Sequence, residues 1–236
     1  MEKGVLYGVG VGPGEPGLMT LKAVRTIERC PVVATPRTPG GGMVAYAIAS
    51  GEVDMAGKTL VPLEFAMTRD ASVRAASHRA AAELLRPHLD AGRSVAMLNL
   101  GDISIYATFR YIADILAPEG YRVEMIPGVT SFSAAASRLG DTLTDMNTPL
   151  HIIPEGIGVT DEMLARPGTT VFMKSGRQLP ALLRRLSELG LLERAQMVQN
   201  CGMENERVFR RIEDCDVPSD YFTVLIVKNP DGEAAS

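Results

Sequence analysis

Arg93-Ser94-Val95-Ala96-Met97-Leu98, followed by Asn99-Leu100-Gly101-Asp102-Ile103-Ser104-Ile105-Tyr106, decides the reading of the fold. Residues 93–98 carry the short apolar run of a buried strand. Ile105, Phe109, Ile112 and Leu116 then recur at helical spacing and predict a helix over 104–117. A strand therefore stops at a Gly-Asp turn and a helix begins. In open α/β sheets, ligands bind beyond the carboxyl ends of the strands. Gly101 lets peptide groups come close to a ligand, and Asp102 places a carboxylate at the same rim. A capping aspartate in an ordinary turn is the plainer alternative.

Strand and helix patterns alternate on both sides of this stretch. Residues 5–11 read as a strand, Thr20 as the cap of a helix over 21–29, and 32–34 as a second strand. A Pro/Gly loop covers 36–42, and a strand covers 58–63. Residues 71–91 read as a helix with Val73, Ala76, Ala80, Leu84 and Leu85 on one face and with Pro87 kinking or ending it. A strand over 121–126 and a helix over 131–139 follow. This alternation predicts a parallel sheet covered on both faces. Residues 141–149 are polar and turn-like, which divides the chain into domains 1–145 and 146–236. In the second domain, 150–153 and 169–173 read as strands and 178–189 as a helix. Residues 196–199, 207–212 and 221–227 follow as strands without helices between them, a mixed or antiparallel pattern. Residues 231–236 read as a frayed tail.

The chain has 236 residues, 46% hydrophobic and 22% charged, which fits a globular protein. A net charge of −4 argues against nucleic acid as a partner, and no apolar run approaches membrane-span length. Met1-Glu2-Lys3 leads directly into a strand pattern without the apolar core of a signal peptide, so the expected location is the cytoplasm. Cys30, Cys201 and Cys215 have neither metal-ligand nor redox spacing and read as free thiols. His78, His88 and His151 are scattered, and no metal site is expected.

Gly8-Val9-Gly10-Val11-Gly12-Pro13-Gly14 after the first strand invites a dinucleotide-binding reading. The letters of G-x-G-x-x-G fit only at Gly12-Pro13-Gly14-Glu15-Pro16-Gly17. In that register Pro13 and Pro16 remove donors from the loop, and the helix begins too late to face a pyrophosphate. The second strand ends in Ala34-Thr35-Pro36, where a ribose-binding acid belongs. The same lack argues against the common Rossmann-type methyltransferase.

Four segments together resemble the tetrapyrrole methylase family. They are Tyr7-Gly8-Val9-Gly10-Val11-Gly12-Pro13-Gly14 with Leu18-Met19-Thr20-Leu21-Lys22-Ala23; Gly101-Asp102-Ile103-Ser104-Ile105-Tyr106; Ile126-Pro127-Gly128-Val129-Thr130-Ser131; and Val171-Phe172-Met173-Lys174 with Asn200-Cys201-Gly202. Within the family the chain looks most like the precorrin-2 C20-methyltransferases, including their cobalt-factor-2 version. Phe65-Ala66-Met67-Thr68-Arg69-Asp70 and Ser104-Ile105-Tyr106-Ala107-Thr108-Phe109 carry that finer likeness.

The resemblance implies two α/β domains, the class III S-adenosylmethionine methyltransferase fold, with the cofactor in the cleft between them. It carries over Pro13, Leu100, Gly101, Asp102, Ile105, Thr130, Ser131, Met173, Cys201 and Gly202 as contacts to S-adenosylmethionine, most of them through backbone atoms. Asp102 and Tyr106 are the candidate catalytic groups. A substrate with eight carboxylates calls for arginine, and Arg37 and Arg69 are the first choices, with Arg110 and Lys174 behind them. The expected substrate is precorrin-2 or cobalt-factor-2, and the expected assembly a homodimer. Another corrin- or sirohaem-branch methyltransferase and a non-catalytic tetrapyrrole- or cofactor-binding regulator are the alternatives.

Overall fold

The computed structural model describes residues 2–154, 159–174, 176–212 and 220–229. Cys215 and the tail 231–236 lie outside them. The chain divides into two compact units, Met1–Thr130 and Ser131–Ser236.

The first unit is built on five parallel strands, β1 (Val5–Gly10), β2 (Val32–Arg37), β3 (Thr59–Glu64), β4 (Val95–Asn99) and β5 (Arg122–Ile126), in the order β3-β2-β4-β1-β5. All five residues of β4 are buried, as its apolar run requires. Helices α1 (Leu21–Arg29) and α2 (Val44–Ser50) cover one face, where Ala23, Ile27 and Ile48 pack on Val9, Val33 and Leu98. Helices α3 (Ala71–Asp90) and α4 (Phe109–Leu116) cover the other, where Leu85, Leu89, Phe109 and Ile112 pack on Leu6, Ala34 and Met97. The chain thus leaves β1 toward one face and the adjacent β4 toward the other. Such a switch point opens a crevice at the carboxyl edge of the sheet.

Local chemistry sets the helix ends. Thr20 Oγ1 accepts from Ala23 N at 3.1 Å and begins α1. Lys58 Nζ ends it by donating to the carbonyls of Ile27, Glu28 and Cys30 at 2.9, 2.7 and 2.9 Å. Asp70 caps α3 by accepting from Ser72 N and Val73 N at 2.8 and 3.2 Å.

Several expectations are corrected. The buried stripe of α3 is Ala81, Ala82, Leu85 and Leu89, whereas Val73 and Leu84 lie half exposed. The helix also runs through Pro87, because Leu85 and Leu89 on either side are anchored in the core. Helix α4 starts at Phe109 rather than 104, since Asp102 spends its carboxylate on the turn and Tyr106 is left-handed. Strand β2 continues through Pro36 to Arg37, paired with β3.

The second unit begins with α5 (Ser131–Leu139). Its sheet has the order β6-β7-β10-β8-β9, from β6 (Leu150–Pro154), β7 (Gly168–Met173), β8 (Ala195–Gln199), β9 (Arg207–Phe209) and β10 (Thr223–Asn229). Only β6 and β7 are parallel among these pairs. A short helix α6 (Asp161–Leu164) precedes β7. Leu179, Leu182 and Leu186 of α7 (Leu179–Glu188) pack on Phe172, Met197 and Leu225. The unit boundary falls at 130/131 rather than 145/146, because α5 packs along β8, β9 and β10 and Arg138 reaches Glu206 at 3.1 Å.

Candidate functional site

The parallel sheet gathers five loops at one edge: those after β1, β2, β3, β4 and β5. Pro13, Leu100, Gly101, Asp102, Ile105 and Thr130 all stand in them, as do Tyr106 and Arg69, while Arg37 is the last residue of β2 at the same edge. At the switch point, Gly101 N donates to Gly12 O at 2.7 Å and Gly12 N to Gly101 O at 3.2 Å. The strands approach so closely that a Cβ on Gly128 would lie 2.4 Å from Gly101 O and 2.8 Å from Gly10 O. One on Gly10 would lie 2.7 Å from Gly101 O. Gly101 itself has φ +73°, which glycine adopts without strain. Bare main chain forms the edge because side chains do not fit between its strands.

Asp102 locks this arrangement. Its Oδ1 accepts from Ser104 N at 2.8 Å and from the Ser104 hydroxyl, and its Oδ2 accepts from Gly128 N at 2.8 Å. The residue is buried. Burial acts most strongly and pushes its pKa up, but the hydrogen bonds from Ser104, Gly128 and Ile103 together outweigh it. The carboxyl is held below its ordinary value and stays ionised. Thr20 Oγ1 adds a second tie, donating to Pro127 O at 3.2 Å.

Tyr106 is exposed, with φ +50°. Arg37 is ion-paired with Glu64 at the neighbouring strand end, so its charge is already compensated. Arg69 is exposed in the loop between β3 and α3. Arg110 is paired with Asp114 at 2.7 Å, on α4.

In the second unit, Met173 ends β7 and is buried; Lys174 follows with φ +59° and its Nζ 5.9 Å from the Tyr221 ring. Asn200 follows β8 with φ +50°, then the buried Cys201 and then Gly202 with φ +77°. Asn200 N donates to Phe222 O at 3.0 Å, and its Nδ2 to Asp220 Oδ2 at 3.0 Å. Gly202 N donates to Glu206 Oε2 at 2.6 Å. Burial first, and then the Glu206 charge, push the Cys201 thiol up to about 11. Ser131 is the first residue of α5.

Tyr106, Lys174 and Asn200 are the non-glycine residues with positive φ among those described, and each follows a strand on a segment singled out from the sequence. Backbone strain of this kind costs about 1–3 kcal/mol and gathers at functional sites. Sequence reading missed Glu206; its signal was a carboxylate four residues beyond Gly202 at the start of a strand. Among the described residues, no three His, Cys, Asp or Glu side chains gather as a metal-ligand set, and no helix is long and apolar enough to cross a membrane.

Over its length the chain is 31% identical to the precorrin-2 C(20)-methyltransferase of a Sinorhizobium species, covering 95% of each chain. It is 28% identical to the cobalt-precorrin-2 C(20)-methyltransferase of Salmonella typhimurium, over 95% of this chain and 96% of that one. The crystal structure of the uroporphyrin-III C-methyltransferase of Thermus thermophilus with S-adenosylhomocysteine superposes with a TM-score of 0.69. There the identity is 27%, over 95% of this chain and 92% of that one. Residues 5–214 match the family model of the tetrapyrrole (corrin/porphyrin) methylases, and that span takes in the whole glycine edge and both strand-end turns of the second sheet. The chain belongs to the tetrapyrrole methylase family.

Proposed function

We propose that this chain transfers a methyl group from S-adenosylmethionine to C20 of precorrin-2 or of its cobalt-loaded counterpart, in cobalamin biosynthesis. The observation that carries the reading is that the segments shared with the family fall on strand-end loops of the two sheets, several of them shaped by left-handed or side-chain-free backbone. The end-to-end likeness to two C20-methyltransferases supports the choice of carbon. S-adenosylmethionine fits such an edge, because a nucleoside with an amino-acid chain is held well by peptide groups where no Cβ intrudes.

Pro13, Leu100, Gly101, Ile105 and Thr130 from the first unit would hold the cofactor, with Ser131, Met173, Cys201 and Gly202 from the second. When bound, S-adenosylmethionine supplies a methyl group on a sulfonium for in-line displacement by the acceptor carbon. The protein's own task is then placement, which contributes ~7 to 11 kcal/mol in the best cases. Asp102 serves it by fixing the loops after β4 and β5; its ionised carboxylate, occupied by Ser104 and Gly128, is a poor proton acceptor. Tyr106, exposed beside that lock, is the better candidate for moving a proton from the methylated carbon. Arg69 is the first candidate for a substrate carboxylate, ahead of the Glu64-bound Arg37.

The reading extends to a homodimer, which rests on the family resemblance and is tested by sedimentation of the purified chain. For the reaction, metal-free and cobalt-loaded precorrin-2 are each incubated with the enzyme and S-adenosylmethionine. One added methyl, located at C20 by carbon NMR, is expected. A different methylated carbon would assign the chain to another branch of the family, and binding without turnover would make it a regulator.

A further inference from the structure

No role in binding or catalysis has yet been given to Glu206 or Arg138, yet both converge on the turn after β8. That turn is the loop of an antiparallel hairpin. Gln199 at the end of β8 pairs with Arg207 at the start of β9, so residues 200–206 form the connection. Asn200 enters the loop left-handed, and Met203 N donates to Asn200 O at 2.9 Å. Glu206 stands at the base of the hairpin, held by its own N–H to Met203 O at 3.0 Å and by the strand that starts one residue later. From there its Oε2 reaches back across the loop to the Gly202 amide at 2.6 Å. The same oxygen accepts from Arg138 Nε at 3.1 Å, and Arg138 comes from α5, the helix that Ser131 begins.

One carboxylate therefore ties the Asn200-Cys201-Gly202 turn to the helix that follows Thr130-Ser131. In the first unit Asp102 does the equivalent for Gly128, also through a glycine amide at a strand end. The Glu206 side chain is 22% exposed and that of Arg138 is 42%. An ion pair this open to solvent is worth little by itself, so the part of Arg138 is to orient Glu206 on the Gly202 amide. The buried Cys201 thiol stays neutral at physiological pH.

We infer that Glu206, oriented by Arg138, is a positioning residue for the methyl donor: it fixes the backbone of the Asn200-Cys201-Gly202 turn in the geometry that receives the cofactor. The inference rests on the methyltransferase reading above. It predicts a selective effect, because the network touches the turn and α5 and none of the arginines assigned to the tetrapyrrole.

The test is calorimetric titration of S-adenosylhomocysteine into the full chain and into its Glu206→Ala, Glu206→Gln and Arg138→Met variants. Thermal unfolding and steady-state kinetics accompany each titration. Glu206→Ala should weaken binding at least about tenfold, ~1.4 kcal/mol. Arg138→Met should weaken it roughly threefold or more. Glu206→Gln should stay within about threefold, because its amide oxygen still accepts from Gly202. The KM for S-adenosylmethionine should rise while that for the tetrapyrrole does not follow. Unchanged affinity in both Glu206→Ala and Arg138→Met would overturn the inference, as would an equal rise in both KM values, the mark of general loosening. If Glu206→Ala does not fold, Arg138→Met decides: unmoved affinity overturns the assignment, and selective weakening with Glu206→Gln near wild type supports it. Failure of the unaltered chain to bind S-adenosylhomocysteine would overturn the methyl-donor reading itself, and the inference with it.

Discussion

At the scale of single residues, the two oxygens of Asp102 serve two different loops. In Asp102→Asn one of them becomes an NH2 group and faces either the Ser104 or the Gly128 amide, donor against donor. Urea unfolding at pH 7 should show a loss of about 1–3 kcal/mol. The folded carboxyl titrates below its unfolded value, so its stabilising contribution is fully present above the ordinary aspartate range near pH ~4 and is lost as pH falls through the folded value. The gap between wild type and Asp102→Asn should hold between neutral pH and about pH 5 and close in stronger acid. Two glycines bear on the edge in different ways. A Cβ on Gly101 has only Val129 O near it, at 4.0 Å, but φ +73° strains any side chain there, so Gly101→Val should lose cofactor binding in the calorimeter and also about 1–3 kcal/mol of stability. Gly128→Ala drives a methyl group against Gly101 O and should lower the melting temperature, at an overpacking cost of about 1–3 kcal/mol. Arg69→Ala should raise the KM for the tetrapyrrole, by roughly 1.5–3 kcal/mol if one charge-assisted bond is lost. Arg37→Ala should matter less, because Glu64 already holds that charge. Gly101 and Asp102 could be found in the sequence because a strand run ends on them. The Glu64 partner could not, since it stands 27 residues away and meets Arg37 only through the parallel pairing of β2 and β3.

At the scale of elements, apolar periodicity revealed what packing rewards. The strands of the first sheet and the leucine stripe of α7 follow from it, while the Thr20 cap follows from its hydroxyl just before a helical pattern. Helix α2 escaped because it begins after Gly40-Gly41-Gly42 with no side-chain cap at Met43, leaving nothing in the sequence to mark its start. The face of α3 was misassigned because its many alanines satisfy several helical stripes equally well. Val73 and Leu84 fit the spacing, while the sheet takes Leu85 and Leu89. Lys58 gives the clearest prediction at this scale. Its ammonium satisfies three carbonyls at the end of α1 from the start of β3. Lys58→Met keeps the stem and strands those carbonyls, so chemical denaturation should report a loss of about 1–3 kcal/mol, more than an exposed lysine usually gives.

At the scale of the whole molecule, α5 decides where the chain can be cut. Phe132, Ala134, Ala135, Ala136 and Leu139 are buried in the second unit. A fragment ending at 145 would carry that apolar helix without its sheet, whereas one ending at 130 would not. Light scattering should find the longer fragment self-associating and the shorter one better behaved. If residues of both units hold the cofactor, as proposed above, either fragment should lose at least ~100-fold in S-adenosylmethionine affinity, about 2.7 kcal/mol. The edge at Gly10, Gly101 and Gly128 has a further consequence, for descent. A surface made of peptide groups constrains shape and leaves side-chain identity largely free. Relatives that keep 27–31% of their residues in common with this chain can thus inherit the same handling of the donor while the loops around it change. Donor and acceptor recognition would then be written in separate parts of the chain. Exchanging residues 38–43 and 65–70 between relatives should move the choice of tetrapyrrole and leave S-adenosylhomocysteine affinity in place.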